Sequence, residues 1–283
     1  TKSVTNAIPD EDGASGESLG IGASVALAIL DNDTRAAIDA GAAVSNANDV
    51  VLTAKGTHAA ETKAVGGAEA TDSSATVVTP VVAISLVFND TLAEVGAGAA
   101  LTAGGALTLD AKHDTGTVTR AEGDAEGGNS TIGASLGLTI SEETVGASLA
   151  RDVTVGGALA VKSEGIFRSR TKAAASAKGA AEDDGADESA DDDGVNQQSQ
   201  AQTDFANNQS GSRRGGASSQ TESPDASSSE GSMSVAAAIG VNVAITGTSA
   251  SIGGTDADPL TVTAAGGVTV QAAAQTDAIA EAD

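Results

Sequence analysis

The chain has no cysteine, tryptophan or tyrosine, and its 283 residues include only three phenylalanines, one methionine, four prolines and two histidines. Each absence removes a class of function. Without cysteine there is no disulfide framework, no thiolate zinc or iron–sulfur site and no cysteine nucleophile. Cations are also scarce. Against 39 Asp and Glu stand 14 Lys and Arg, giving a formal charge of −25 and a pI near 4.1. Nucleic acid is not an expected partner, because phosphate binding needs a basic, usually aromatic-bearing surface. No run of 18 uninterrupted apolar residues occurs, so no membrane span is expected. No basic region followed by an apolar one opens the chain in the manner of a signal peptide. The apolar pattern still runs at both ends, so the chain reads as a piece of something longer, with any export signal outside it.

What remains is small and acidic. The mean residue mass is about 96 Da and glycine numbers 35. Leu 14, Ile 12, Val 24 and Phe 3 make up about 19% of the chain, a fraction that with high net charge usually marks disorder. The average conceals a division. Residues 180–231 hold only Val195 and Phe205 of that set, and they carry 12 acids against two arginines. The rest gathers its aliphatics into short dense runs that can form a core. Three segments follow: 1–179 as repeats one to three, 180–231 as an acidic Ser/Gln/Asp-rich insertion, and 232–283 as repeat four. The insertion is expected to pack on the solenoid flank or on a neighbouring subunit.

The repeat is visible in two signatures. The first is an apolar run that meets a polar turn: Ser24–Thr34, Val81–Thr91, Ala134–Thr144 and Ile239–Ser249. The second is a Gly or Asn-Asp turn followed by a short alternating run, in which Val50, Leu107, Leu159 and Val268 are equivalent, separated by 57, 52 and 109 residues. A repeat of about 50–60 residues results, with the insertion lengthening the last interval. Gly, Val, Ile and Thr saturate these runs and favour strand over helix. Stepping back by two from the polar segment gives Leu30, Ala28, Ala26 and Ser24 in the first copy, and Ile245, Val243, Val241 and Ile239 in the fourth. The alternate positions are nearly as apolar, as in strands covered on both faces. The fold class is therefore all-β, a parallel β-solenoid with three strands per repeat, the third being the stretch around Thr115–Gly127. A tandem β-sandwich array is the alternative. An open solenoid leaves an unpaired edge, so stacking on neighbouring repeats or subunits is expected.

The runs Ser234–Ile245 and Thr263–Asp283 resemble repeats of large bacterial surface proteins, the filamentous-haemagglutinin-like and leukotoxin-like adhesins. The resemblance covers both flanks of the insertion, roughly 230 residues. It implies an extracellular, cell-surface location, a β-solenoid shaft and a role in adhesion or surface structure. It implies no catalytic residues.

Residues with chemistry are few. His58 and His113 follow the second signature at unequal offsets and are expected to be solvated loop residues. Acidic segments at Asp31 and Asp33, at Asp90, and at Glu142 and Glu143, with Asp256 and Asp258, place hard oxygen ligands at turns, the donors calcium uses. Neither an EF-hand loop nor the Gly-Gly-x-Gly-x-Asp repeat occurs, and a solvated acidic face explains the same residues. No other cofactor is implied. Asn32, Asn89, Asn129 and Asn208 lie in glycosylation sequons, two of them at one repeat position. The basic residues Arg168, Arg170, Lys172 and Lys178 are expected to decorate one alternating strand. The first functional expectation is a structural, non-catalytic segment of an extracellular bacterial adhesin or filament. The second is a calcium-dependent adhesion module, and the third a polysaccharide-active β-helix enzyme, which the lack of Trp and Tyr sugar platforms disfavours.

Overall fold

A computed structural model describes residues 1–8, 14–72, 74–179, 233–253 and 259–283. The insertion, Asn208, Asp256 and Asp258 lie outside the described residues. Within them the chain forms β1 (Lys2–Ala7), β2 (Ala14–Gly16), β3 (Leu19–Ile21), β4 (Ser24–Ile38), β5 (Val50–Ala70), β6 (Thr76–Val95) and β7 (Leu101–Ala103). It continues through β8 (Leu107–Glu126), β9 (Ser130–Leu149), β10 (Val153–Val155), β11 (Leu159–Lys178), β12 (Met233–Ile252), β13 (Val262–Ala264) and β14 (Val268–Ala282).

Among the described residues all strand pairings are parallel, and they build three sheets. Sheet A runs β1-β5-β8-β11-β14, with β2 also on β5. Sheet B runs β12-β9-β6, with β3 and β4 both on β6. Sheet C is the short ladder β13-β10-β7. The chain passes from A to B to C and back to A, so each circuit adds one level to every sheet. This is the parallel β-solenoid read from the sequence. Its ladder also reproduces the repeat spacing, because Val50 pairs with Leu107, Leu107 with Leu159, and Leu159 with Val268.

Three expectations change in detail. The polar segments after the apolar runs are not turns: Asp31–Thr34 continues β4, Asn89–Thr91 continues β6 and Glu142–Thr144 continues β9. Likewise the short run after each Gly turn and the Thr/charge-alternating stretch form one strand, such as β8, rather than two. The third strand of three coils is instead a three-residue piece such as Leu101–Ala103, and in the first coil its place is taken by an isolated bridge from Ala47 to Ala103. Finally, the fourth apolar run is displaced by one residue. Leu30 aligns through Val87 and Ser141 with Ala244, so Ile239, Val243 and Ile245 point outward while Ala238 and Ala244 are buried. A one-residue step exchanges the faces of a strand.

The coil is much broader than its rise. Six strands are 20 or 21 residues long, about 66 Å at ~3.3 Å per residue, while each level adds only ~4.8 Å along the axis. The interior is thin and rich in alanine around an aliphatic centre. Its aliphatic centre, with Leu52, Leu109, Val161, Val95 and Leu149, lies where sheet C closes the coil. Towards the middle of the long strands the inward positions become Ala, Ser and Thr, and the two sheets are bridged by hydroxyls. Thr171 donates to Thr139 (2.6 Å), Thr139 to Thr119 (2.7 Å), and Thr119 pairs with Ser85 (2.6 Å), which donates to Thr62 (2.8 Å).

Candidate functional site

The two broad outer faces are chemically unlike. On sheet A most outward positions of β8 and β11 are charged, and many are matched between levels. Arg168 binds Asp114 (2.9 Å), Arg170 binds Glu281 (2.6 Å), Lys172 binds Asp283 (2.6 Å) and Lys178 binds Glu126 (2.9 Å). The basic residues thus decorate one alternating strand, as read from the sequence. The hydrogen bond and charge of Asp283 raise the Lys172 pKa above its ordinary value. These exposed pairs fix register more than they add stability.

On sheet B the outward face is aliphatic. Register places Val25, Val82, Leu136 and Ile239 in one row across four strands. The next row is Leu27, Ile84, Leu138 and Val241, and the next Ile29, Leu86, Ile140 and Val243. Two further rows begin at Ile21 and Ala23, and among the twenty outward positions of these five rows none is polar. Val25 is 66% exposed, Ile29 64% and Leu27 50%. A strand that is aliphatic outward and small inward explains why periodicity left both faces apolar in the sequence.

The five calcium candidates fall at one end of this face and separate. Asp31 and Glu142 share an outward row with Phe88 and Ile245, and Asp33 pairs in register with Asp90, which accepts a hydrogen bond from Thr144. Glu143 points the other way, into the core, and is 1% exposed. No three His, Asp or Glu side chains converge as a metal ligand set among the described residues.

Glu143 belongs instead to a buried polar cluster that also holds both histidines. Its Oε1 accepts from Ser141 (2.6 Å) and Thr115 (2.9 Å), and its Oε2 lies 3.2 Å from His113 Nε2. His113 Nδ1 is 2.8 Å from Thr91 Oγ1. The tautomer with hydrogen on Nε2 satisfies both contacts, donating to the carboxylate and accepting from the hydroxyl. His58 lies beside it, ring centroids 5.4 Å apart, with both nitrogens unbonded. Burial, then the neighbouring His113, lowers the His58 pKa. The expectation of solvated loop histidines is corrected: the alternation of β5 and β8 continues through them and turns both inward, leaving His58 8% and His113 2% exposed. Room for the rings comes from Gly56 and Gly165, the in-register neighbours of His113. A Cβ on Gly56 would stand 2.4 Å from Thr91 Oγ1, and one on Gly165 2.5 Å from the Phe167 ring.

Of the sequons, Asn32 and Asn89 also turn inward, where Asn32 donates to Asn89 (2.8 Å), and Asn89 is 2% exposed. Glycan attachment at Asn89 is therefore blocked in the folded chain, whereas Asn32, on the first level, is half-buried. Asn129 sits exposed in the corner between β8 and β9. A second feature that the sequence did not announce is Arg151, buried at the corner between sheets B and C. Its guanidinium donates to the carbonyls of Gly96 (2.5 Å), Ala42 (2.6 Å) and Asp39 (2.9 Å), tying three levels together. A lone Arg-Asp after an aliphatic strand carries no signal that would have marked it.

The cluster is enclosed, whereas the aliphatic face is open. Compared with protein-family models, curated proteins and solved structures, the chain matches none.

Proposed function

We propose that the chain is a structural, non-catalytic segment of an extracellular bacterial adhesin or surface filament, a solenoid shaft that stacks on neighbouring repeats or subunits. One observation carries the stacking: the core is open at its last level. Val268 and Val270 stand in register with the buried Leu159 and Val161, which are fully covered, yet are 52% and 47% exposed. Among the described residues nothing pairs with the outer edge of β14 or β12. Exposed aliphatics beside a free parallel edge favour the addition of another coil, which buries the side chains and satisfies the backbone together. The extracellular bacterial setting rests on the resemblance of the repeats.

The test is sedimentation velocity on the chain and on a Val268→Lys, Val270→Lys double variant. The reading expects assemblies that grow beyond a dimer with concentration, and the double variant loses that growth while its β circular dichroism persists. Assembly unaffected by the two lysines contradicts end-to-end stacking.

A further inference from the structure

From the outward face of sheet B we infer a second interface: a lateral, two-fold dimer in which the aliphatic rows of one chain pack on the same rows of a second copy, with the strands antiparallel. This inference stands apart from end-to-end stacking, since it uses a broad face rather than an edge.

Area is the first argument. Five rows on four strands cover about 33 Å by 19 Å, roughly 600 Å², at ~3.3 Å per residue and ~4.8 Å between strands. Monomers seldom expose an apolar patch above about 600 Å², and a stable pair buries about 800 Å² per partner. Phe88 and Ile245 in the next row extend the patch towards that figure.

Shape and chemistry then select the occupant. The face is a flat lattice of Val, Ile and Leu at strand spacing, and a second sheet of the same spacing fits its rows at about 10 Å separation. Residues 180–231 of this chain contain only Val195 and Phe205 of the large aliphatic and Phe set, so their composition does not suit such a face. The rim argues against anionic membrane. Asp31, Asp33, Asp90 and Glu142 border the patch, and the first cation beyond them, Arg35, is engaged by Glu94 and Asp39.

The same acids fix the orientation. With strands parallel, the acidic rows of the two copies face each other in a low-dielectric gap. Turning one copy about an axis across the strands at the Val82 row places each acidic end beyond the other copy's aliphatic rows, past the Leu19 end where Thr76 and Ser130 are polar. Dimerisation then strengthens with salt, which screens the charge of −25 on each chain.

The absence of cysteine makes single-cysteine variants clean reporters. Val82→Cys lies at the two-fold axis and is expected to give cross-linked dimers on oxidation or with a short bismaleimide, whereas Asp33→Cys stays uncross-linked. Ile84→Lys with Leu138→Lys is expected to weaken the dimer by about a hundredfold or more, since two lysines per chain become buried without partners, while circular dichroism stays unchanged. The Val268→Lys, Val270→Lys variant retains the lateral dimer. Four results overturn the inference: a wild-type monomer at high salt, a dimer indifferent to the Ile84 and Leu138 lysines, cross-linking at residue 33 instead of 82, or a monomer that binds phosphatidylcholine vesicles through this face.

Discussion

Thr119 Oγ1 lies 2.6 Å from Ser85 Oγ across the middle of the core, joining sheet A to sheet B. The contact is the central link of a directed hydroxyl chain from Thr171 to Thr62. Thr119→Val removes both an acceptor for Thr139 and a donor to Ser85. The expected loss is about 1–3 kcal/mol, the usual range for stranding a buried polar group, read from urea unfolding. Thr119→Ser keeps the chain and is expected to lose less.

Arg151 is the tie between levels at the opposite end of the long strands. Its three carbonyl partners come from two lower levels, Asp39 and Ala42 in one corner and Gly96 in the next, and lysine lacks the planar fork to reach all of them. Arg151→Lys and Arg151→Ala are both expected to lower the unfolding midpoint, the alanine variant by about 3 kcal/mol or more of stability. Equal midpoints for wild type and Arg151→Ala would contradict the clamp.

Crowding around His113 gives a third expectation. Gly56→Ala brings a methyl to 2.4 Å from Thr91 Oγ1 and 2.9 Å from His113 Nδ1. Overpacking of this kind costs about 1–3 kcal/mol. A Gly67→Ala control, where a Cβ meets nothing within 4 Å, is expected to be neutral by the same unfolding assay.

The pH dependence follows from His58. Its pKa in the folded chain is lowered by burial and by His113, against a smaller opposing pull from Glu143. The unfolded chain therefore takes up the proton first. This contribution is intact above the ordinary histidine value near 6.5 and is lost as pH falls below it, towards the lower folded value. Replacing His58 by Gln is expected to flatten the fall in stability as pH drops below about 6.5 relative to wild type. Identical slopes in paired denaturation series would contradict a neutral, buried His58.

Much of this architecture was legible before the fold was known. The intervals separating Val50, Leu107, Leu159 and Val268 are the ladder itself, because a parallel coil stacks equivalent residues. The alternation of Arg168, Arg170 and Lys172 likewise identified an outward face correctly. Other features were hidden for definite reasons. On sheet B both faces are apolar, so alternation carried no sign of which side was inside, and the fourth run was aligned one residue out. Asp31 and Asp33 resembled turn residues because acids in the middle of a 15-residue strand are uncommon. Glu143, His58 and His113 were read as solvated because polarity usually means exposure, whereas their partners lie on the facing sheet or on the next level and only the fold brings them together. The aliphatic face followed from the same residues once the inner side was fixed.

The claim that this solenoid grows by adding coils at its open end is tested most directly by electron diffraction and imaging of the assembled chain. The account predicts filaments about 70 Å wide with the ~4.8 Å strand spacing along the filament axis and the strands across it. Single particles that never lengthen, or filaments whose 4.8 Å spacing runs across the axis, would contradict it.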